Sequence, residues 1–541
     1  MKQFQYVAIS FFVLLLFTTG CRTITIKEPH SIQPSFTDTG LEKFDEYDIE
    51  TLQLLMDEGT LTAEGLTQYY LNRIAKLDDA GPMLNAILEI NLDALQTAIA
   101  LDEERSRQGS RGPLHGIPVV LKANIDTGDK LATTAGSLAL ANHKAERDAF
   151  MVARLREAGA IILGKANLSE WANYRGSHSS SGWSSLGRQT KLPYVLDRNP
   201  CGSSSGSAVA VAANLTVLAI GTETDGSVVC PAGTNGIVGI KPTLGLVSCD
   251  GIIPIGHSQD TAGPMARTVR DAALLLTAMV AKDSNDPEAS NFPQQTPDYL
   301  AALDASSLQG VRIGVMRDHY GAGDNARVEA NLDRAIEALK SLGAEVIDST
   351  ELGDRTGLDE AESEVLAYEF KNEVKEYLVK HGSPNGMSTL DDLIAFNTTN
   401  KEKVMPYFGQ ERFLKAAQKG PLTDDVYKQA LAKSKQLAQA AIDGAMDKHS
   451  LDAIIAPTNS PAWPTDLVNG DNFSIASSTL PAVSGYPSIT VPMGSVHNLP
   501  VGLSFFGRAF SESTLLHITY AFEQATKARR SPEFIPTLNL E

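Results

Sequence analysis

From residue 117 onward, short apolar runs alternate with longer segments whose apolar residues recur every three or four positions. Ile117–Leu121, Ala160–Leu163, Val217–Ile220, Val311–Val315, Ala344–Ile347, Ala453–Ile455 and Ser488–Val491 read as buried strands. A run with almost no polar position suits a strand covered on both faces. Phe150–Ala158, Val328–Leu342, Asp425–His449 and Ser513–Arg529 carry helical periodicity. Strands interleaved with helices predict an α/β fold around a largely parallel or mixed sheet. Ahead of them, Asp48–Met56 and Thr60–Leu77 read as helices, with Thr60 as an N-cap. Residues 355–450 are nearly all helical in pattern and more polar, which predicts a helical layer or cap.

The first 46 residues are of another kind. Lys2 precedes an apolar stretch, Val7–Phe17, that ends in Thr18-Thr19-Gly20-Cys21. A basic start, an apolar core of ~7–15 residues and small residues at its end predict a secretory leader over residues 1–20. Gly20-Cys21 resembles the junction of bacterial lipoprotein leaders, although Thr18 stands where leucine is usual. The resemblance implies lipidation of Cys21 and attachment to a bacterial cell-envelope membrane, with residues 21–46 as a polar tether. No apolar run reaches the ~18 residues that a membrane-spanning helix needs.

Composition closes off other classes. The 43% hydrophobic content suffices for a packed core and excludes a disordered chain. Lys+Arg 46 against Asp+Glu 65 gives a formal charge of −19, which argues against nucleic acid as a partner. Four cysteines cannot make a disulfide framework. Apart from Cys21, the cysteines Cys201, Cys230 and Cys249 sit in Gly- and Val-rich segments and are expected as buried free thiols, with at most one bridge possible.

Between Gly176 and Ser207 the chain is crowded with serine and glycine: Gly176-Ser177-His178-Ser179-Ser180-Ser181-Gly182, then Cys201-Gly202-Ser203-Ser204-Ser205-Gly206-Ser207. Composition alone suggests a flexible linker, but the flanks oppose it. Ser207–Leu215 is helical in pattern, and the strand Val217–Ile220 leads into Gly221-Thr222-Glu223-Thr224-Asp225-Gly226-Ser227. A glycine-rich loop entering a helix can bind an anion, yet neither phosphate-loop spacing occurs. Gly202–Gly206 matches Gly-x-Ser-x-Gly, but Asn199-Pro200-Cys201 precedes it where the hydrolase elbow needs a strand.

These residues resemble the amidase signature family. Ser203 and Ser227 stand 24 residues apart, the spacing of that family's two catalytic serines. Pro113–Lys122 resembles the segment that supplies its lysine. Gly239-Ile240-Lys241-Pro242-Thr243, Ser258–Met265, Ala453–Thr458 and Gly485–Ser488 follow in family order. The similarity spans about residues 50–530, so residues 47–541 are expected as one domain. It implies the amidase signature fold, a large twisted mixed sheet covered by helices on both faces. It also implies hydrolysis of an amide through an acyl-enzyme, with Ser227 as nucleophile, Ser203 as relay and Lys122 as base. Backbone N–H groups of Thr224, Asp225, Gly226 and Ser227 would form the oxyanion hole, while Gly202, before a cis peptide bond to Ser203, and Ser204 would shape the site.

The chemistry is coherent. An amide carbonyl is a poor electrophile, so the attacking hydroxyl must surrender its proton. A lysine at the end of an apolar strand can be held neutral by burial. None of the 10 histidines sits in a neighbourhood that suggests the base; His115 and His257 are expected to be structural hydrogen-bonders. Most members carry glycine at Cys201, Ser205 and Asp225, and these variants resemble the peptide amidase-like branch. Asp225 could hold a substrate amine, repel acidic substrates or simply cap its turn. Trp463 could stack on substrate or belong to the core. No zinc-ligand spacing occurs, so no metal and no cofactor is expected. Two other readings stand beside the amidase: a component resembling the amidase-like chain of the glutamyl-tRNA amidotransferase complex, and a lipid-anchored binding protein without catalysis.

Overall fold

The structure, a computed structural model, describes residues 44–317, 325–348 and 350–539. The leader, Cys21 and nearly all of the tether lie outside the described residues. Among the described residues thirteen strands run in chain order: β1 (Ile87–Ile90), β2 (Pro118–Lys122), β3 (Ile161–Ala166), β4 (Trp183–Ser184), β5 (Arg188–Gln189), β6 (Leu218–Glu223), β7 (Val238–Lys241), β8 (Thr261–Ala266), β9 (Arg312–Val315), β10 (Glu345–Ile347), β11 (Ala453–Pro457), β12 (Ser488–Val496) and β13 (Leu499–Phe506). Apart from the small β4–β5 hairpin they form one eleven-stranded sheet, ordered β1-β3-β2-β6-β8-β7-β12-β13-β11-β9-β10. β2 is parallel to both β3 and β6, whereas β6 meets β8 antiparallel, so the sheet is mixed. Every residue of β2, β3 and β6 is buried. A strand sealed on both faces is apolar along most of its length, which is why these runs show no alternation until Lys122, Lys165 and Thr222-Glu223 near their C-terminal ends.

Strands that broke this pattern were not visible in sequence. β8 reads Thr-Ala-Gly-Pro-Met-Ala, a poor strand by propensity. Its glycine is forced by packing: a Cβ at Gly263 would lie 1.9 Å from the Ile240 carbonyl oxygen on β7. The second helix also differs from expectation. It spans Ala63–Arg73 and is capped by Thr62, whose side chain accepts from Gly65 N. Thr60 instead donates its hydroxyl to Leu55 O, closing the helix before it.

The polar region after residue 355 is a helical cap: Leu358–Lys380, Leu390–Thr399, Lys401–Val404, Glu411–Ala417 and Asp425–His449. Phe370, Val374, Leu378 and Phe413 pack with Trp171, Ile253 and Ile255 from the loops around the site. Each such side chain fully buried contributes roughly 1.5–3 kcal/mol. The cap is further anchored by Arg175, buried against Glu170 at 3.7 Å, whose guanidinium lies 4.3 Å from the Phe408 ring centre.

Candidate active site

Lys122 is the last residue of β2 and is fully buried. Its Nζ lies 2.7 Å from Ser203 Oγ, 2.8 Å from Thr222 Oγ1 and 3.0 Å from Thr222 O. The contact follows from topology, because β2 and β6 run side by side and in parallel, with Leu121 opposite Ile220. Burial pulls the amine down to about 7, against the opposing pull of the Asp260 and Glu223 carboxylates. A large share of Lys122 is therefore neutral at neutral pH. Lys165 and Lys241 are also buried and held near 8, but their amines go to Ile125 O and Thr133 Oγ1, and to Pro242 O and Tyr486 O. Of these three buried lysines, Lys122 reaches a serine hydroxyl.

Ser203 follows a cis peptide bond from Gly202. A Cβ at Gly202 would stand 2.3 Å from Ser169 Oγ, which accepts from Gly182 N. No larger residue fits unless Ser169 moves. Ser204 braces the same loop on β6, donating to Thr222 O at 3.1 Å and accepting from Thr222 N at 3.2 Å. Ser204 N in turn donates to Ser227 O at 3.1 Å, which ties the two serine loops together. Lys122 and Ser203 are closed to solvent, while Ser227 is 8% exposed. Ser227 is thus the outermost of the three.

The Thr224–Ser227 loop is held from behind. Glu223 Oε2 accepts from Val228 N and Val229 N at 2.7 and 2.9 Å. Thr224 donates its hydroxyl to Asp260 Oδ1 at 2.5 Å, and Asp260 Oδ2 accepts from Ile255 N and Gly256 N. Gly226 O accepts from Cys230 N at 2.8 Å. Among the described residues, no acceptor takes the backbone N–H groups of Thr224, Asp225, Gly226 or Ser227. Asp225 does not cap its own turn: its Oδ2 accepts from Thr479 Oγ1 at 2.8 Å, far away in sequence.

Thr222, Glu223 and Asp260 are parts of the site that sequence reasoning passed over, although all three lie inside Gly221–Ser227 and Ser258–Met265. Only the fold shows that Thr222 meets the lysine and that Asp260 holds Thr224. Replacing Asp260 with asparagine leaves one acceptor and turns an amide group toward two N–H donors. A loss of about 10–100-fold in kcat, with KM little changed, is expected from a slightly misplaced loop; steady-state kinetics of Asp260→Asn checks it.

The expectation of free thiols fails for two of the three cysteines, which use the one bridge that was possible. Cys201 and Cys230 form a disulfide, with Cα atoms 6.1 Å apart, and Cys249 remains free. Each half-cystine neighbours a serine loop, so proximity created by folding made the pair. With a sequence separation of 29, the loop-entropy relation gives about 3–4 kcal/mol of stabilisation. The Cys201→Ala, Cys230→Ala protein is expected to unfold at correspondingly lower urea concentration.

His115 bonds Leu101 O through Nε2 and accepts from Arg111 N. Burial works against a charge on His257, but Glu373 and Glu369 outweigh it and hold the imidazole up to about 9. A protonated ring paired in this way cannot serve as base. His257, Glu369 and Glu373 are the one group of potential metal ligands found among the described residues, within 4.8 Å of one another. Their atoms are already engaged with one another and with Tyr427 and Ser258. Trp463 is buried, with its indole N–H directed to Asp471 Oδ1, and belongs to the core.

The amidase family profile matches residues 65–516. This chain belongs to the amidase signature family. Among solved structures, the native peptide amidase from Stenotrophomonas maltophilia is 48% identical with a TM-score of 0.87, covering 91% of this chain and 99% of that one. An Arabidopsis thaliana protein named a probable amidase is 41% identical over 498 residues, 90% of this chain and 91% of its own. A glutamyl-tRNA(Gln) amidotransferase subunit from Thermoanaerobacter pseudethanolicus is 33% identical, covering 90% of this chain and 98% of its own. The eleven-stranded mixed sheet is the amidase signature fold, and the protein is an amide hydrolase of that family.

Proposed function

We propose that this amidase cleaves a carboxamide through an acyl-enzyme on Ser227. Ser227 Oγ attacks the carbonyl carbon as its proton passes to Ser203, whose own proton passes to neutral Lys122. The tetrahedral oxygen then sits against the free N–H groups of Thr224–Ser227, where donors aimed at developing charge count most. Collapse breaks the C–N bond, Ser203 returns a proton to the leaving nitrogen, and water releases the acid by the reverse relay. One observation carries this reading: the Lys122 amine, held near 7 by burial, lies 2.7 Å from the Ser203 hydroxyl.

The S. maltophilia neighbour is named a peptide amidase, and on that similarity we take C-terminally amidated peptides as the first substrate class. Ammonia release from such peptides, set against simple aliphatic and aryl amides, tests it. The reading fails if no amide releases ammonia, or if release persists in Ser227→Ala. The likeness to the tRNA amidotransferase is countered by the charge of −19, a poor match to tRNA. Export with a lipid anchor at Cys21 is proposed from the leader, and a disulfide at the site fits an oxidising compartment. Labelled fatty acid should enter the wild-type chain and not Cys21→Ser.

A further inference from the structure

A neutral Lys122 meets three oxygens with a fixed supply of hydrogens. An uncharged amine carries two N–H groups and one lone pair. Its neighbours are Ser203 Oγ at 2.7 Å, Thr222 Oγ1 at 2.8 Å and Thr222 O at 3.0 Å. A carbonyl oxygen can only accept, so Thr222 O takes one N–H. The second N–H and the lone pair are then divided between two hydroxyls. If Thr222 donates its hydroxyl hydrogen to the amine, the lone pair is occupied and Ser203 receives an N–H. No proton can then leave Ser203 for the base. If Thr222 accepts the N–H instead, the lone pair faces Ser203 and the relay is open. That second arrangement needs another acceptor for the Thr222 hydrogen.

Asn124 is the side chain in place to supply it. It is 3% exposed, and its amide lies 3.0 Å from Thr222 Oγ1. The backbone around it is pinned: Ile125 N donates to Lys122 O, Ile253 N to Asn124 O, and Thr134 N and Ala135 N both donate to Ala123 O. Asn124 Nδ2 donates to Thr222 Oγ1, while Oδ1 is buried without a partner. This orientation suits a charged lysine, whose three N–H groups serve all three oxygens while Thr222 Oγ1 accepts twice. A half-turn of the amide puts Oδ1 in the place of Nδ2 with almost no change of shape. It exchanges one hydrogen bond to Thr222 for another, and the amide oxygen now takes the Thr222 hydrogen.

We propose that Asn124 is a positioning residue that acts through Thr222, taking the Thr222 hydroxyl hydrogen when Lys122 is neutral and so turning the lysine lone pair toward Ser203. The Ser203 proton then passes to Lys122 and returns to Ser203 later in the cycle, and Asn124 itself gains and loses none.

This role rests on the amide-hydrolysis reading, and its test needs no knowledge of the natural amide. The rate at which a fluorophosphonate labels Ser227 is followed across pH 5–9. Asn124→Ala leaves the Thr222 hydrogen free to occupy the lysine, and its plateau rate is expected to fall about 10–100-fold. Asn124→Asp offers acceptors only, so its plateau rate should stay close to that of the wild type. Its charge adds to those of Asp260 and Glu223, which already favour the protonated amine, so the plateau should begin at higher pH. Thr222→Val removes the hydroxyl that competes for the lone pair, and in that background Asn124→Ala should have almost no further effect. A disturbed fold would instead slow labelling equally in both backgrounds. Wild-type speed in Asn124→Ala, or a full further loss in the Thr222→Val background, overturns the assignment. If Asn124→Ala does not fold, Asn124→Asp answers alone, since slow labelling at every pH overturns it equally. Failure of the amidase reading would show separately, as absence of ammonia release and of a Ser227 label in the wild-type enzyme.

Discussion

Ser227→Ala is expected to fold as the parent does and to lose at least about 10⁴-fold in kcat/KM for any carboxamide it cleaves. The large figure follows from covalent catalysis. Removing the nucleophile leaves only binding and the oxyanion donors, which give a small residue of the whole acceleration. Stability should hardly move, because Ser227 is the least buried of Lys122, Ser203 and Ser227 and its carbonyl keeps its bond from Ser204 N. Ammonia release and a thermal melt, run side by side, check both halves. Loss of folding together with activity would leave Ser227 a structural residue and contradict its assigned role.

Lys122→Ala carries the second large effect, a loss of about 10³–10⁴-fold, spanning the upper range for general base catalysis. Below about pH 7 the wild-type rate should fall tenfold per pH unit, since only the unprotonated amine accepts a proton; above it the rate should level. In Lys122→Ala that dependence should vanish. The same group makes stability rise with pH. Between about 7 and the ordinary lysine value of 10.5, the unfolded chain binds more protons at this side chain than the folded one. The penalty for burying Lys122 is therefore greatest below pH 7 and is relieved as pH climbs through that window.

How much of this was legible in the sequence differs from residue to residue. β2 and β6 were visible because both faces of each are covered, so apolar side chains run on as far as Leu121 and Ile220 before the polar ends. β8 was invisible because close packing on β7 demands glycine where a strand would normally place a branched side chain. Thr60 and Thr62 are equally good caps by chemistry, and only the fold of the preceding turn gives one of them to Leu55 O. In the site, the family resemblance singled out Ser203, Ser227 and Lys122, and the structure sets the Lys122 amine against the Ser203 hydroxyl. Their mutual placement rests on strand order, which no local pattern contains. The Cys201–Cys230 bridge and the reach of Asp225 to Thr479 are contacts between segments distant in sequence, and composition argued against the first of them.

The site emerges where two parallel strands end together. β2 delivers a lysine into the sheet interior, β6 delivers Thr222 to hold it, and the two serine loops join across the gap through the Ser204–Ser227 hydrogen bond. The disulfide clamps the outer ends of both loops. Whether this assembly runs a lysine-driven acylation is read most directly by the rate at which a fluorophosphonate labels the protein across pH 5–9, with the labelled peptide identified by mass spectrometry. A label on Ser227, a rate that rises to a plateau near pH 7, and labelling at least about 100-fold slower in Lys122→Ala are expected. A label on another residue, or undiminished labelling of Ser227 in Lys122→Ala, would contradict such an acylation.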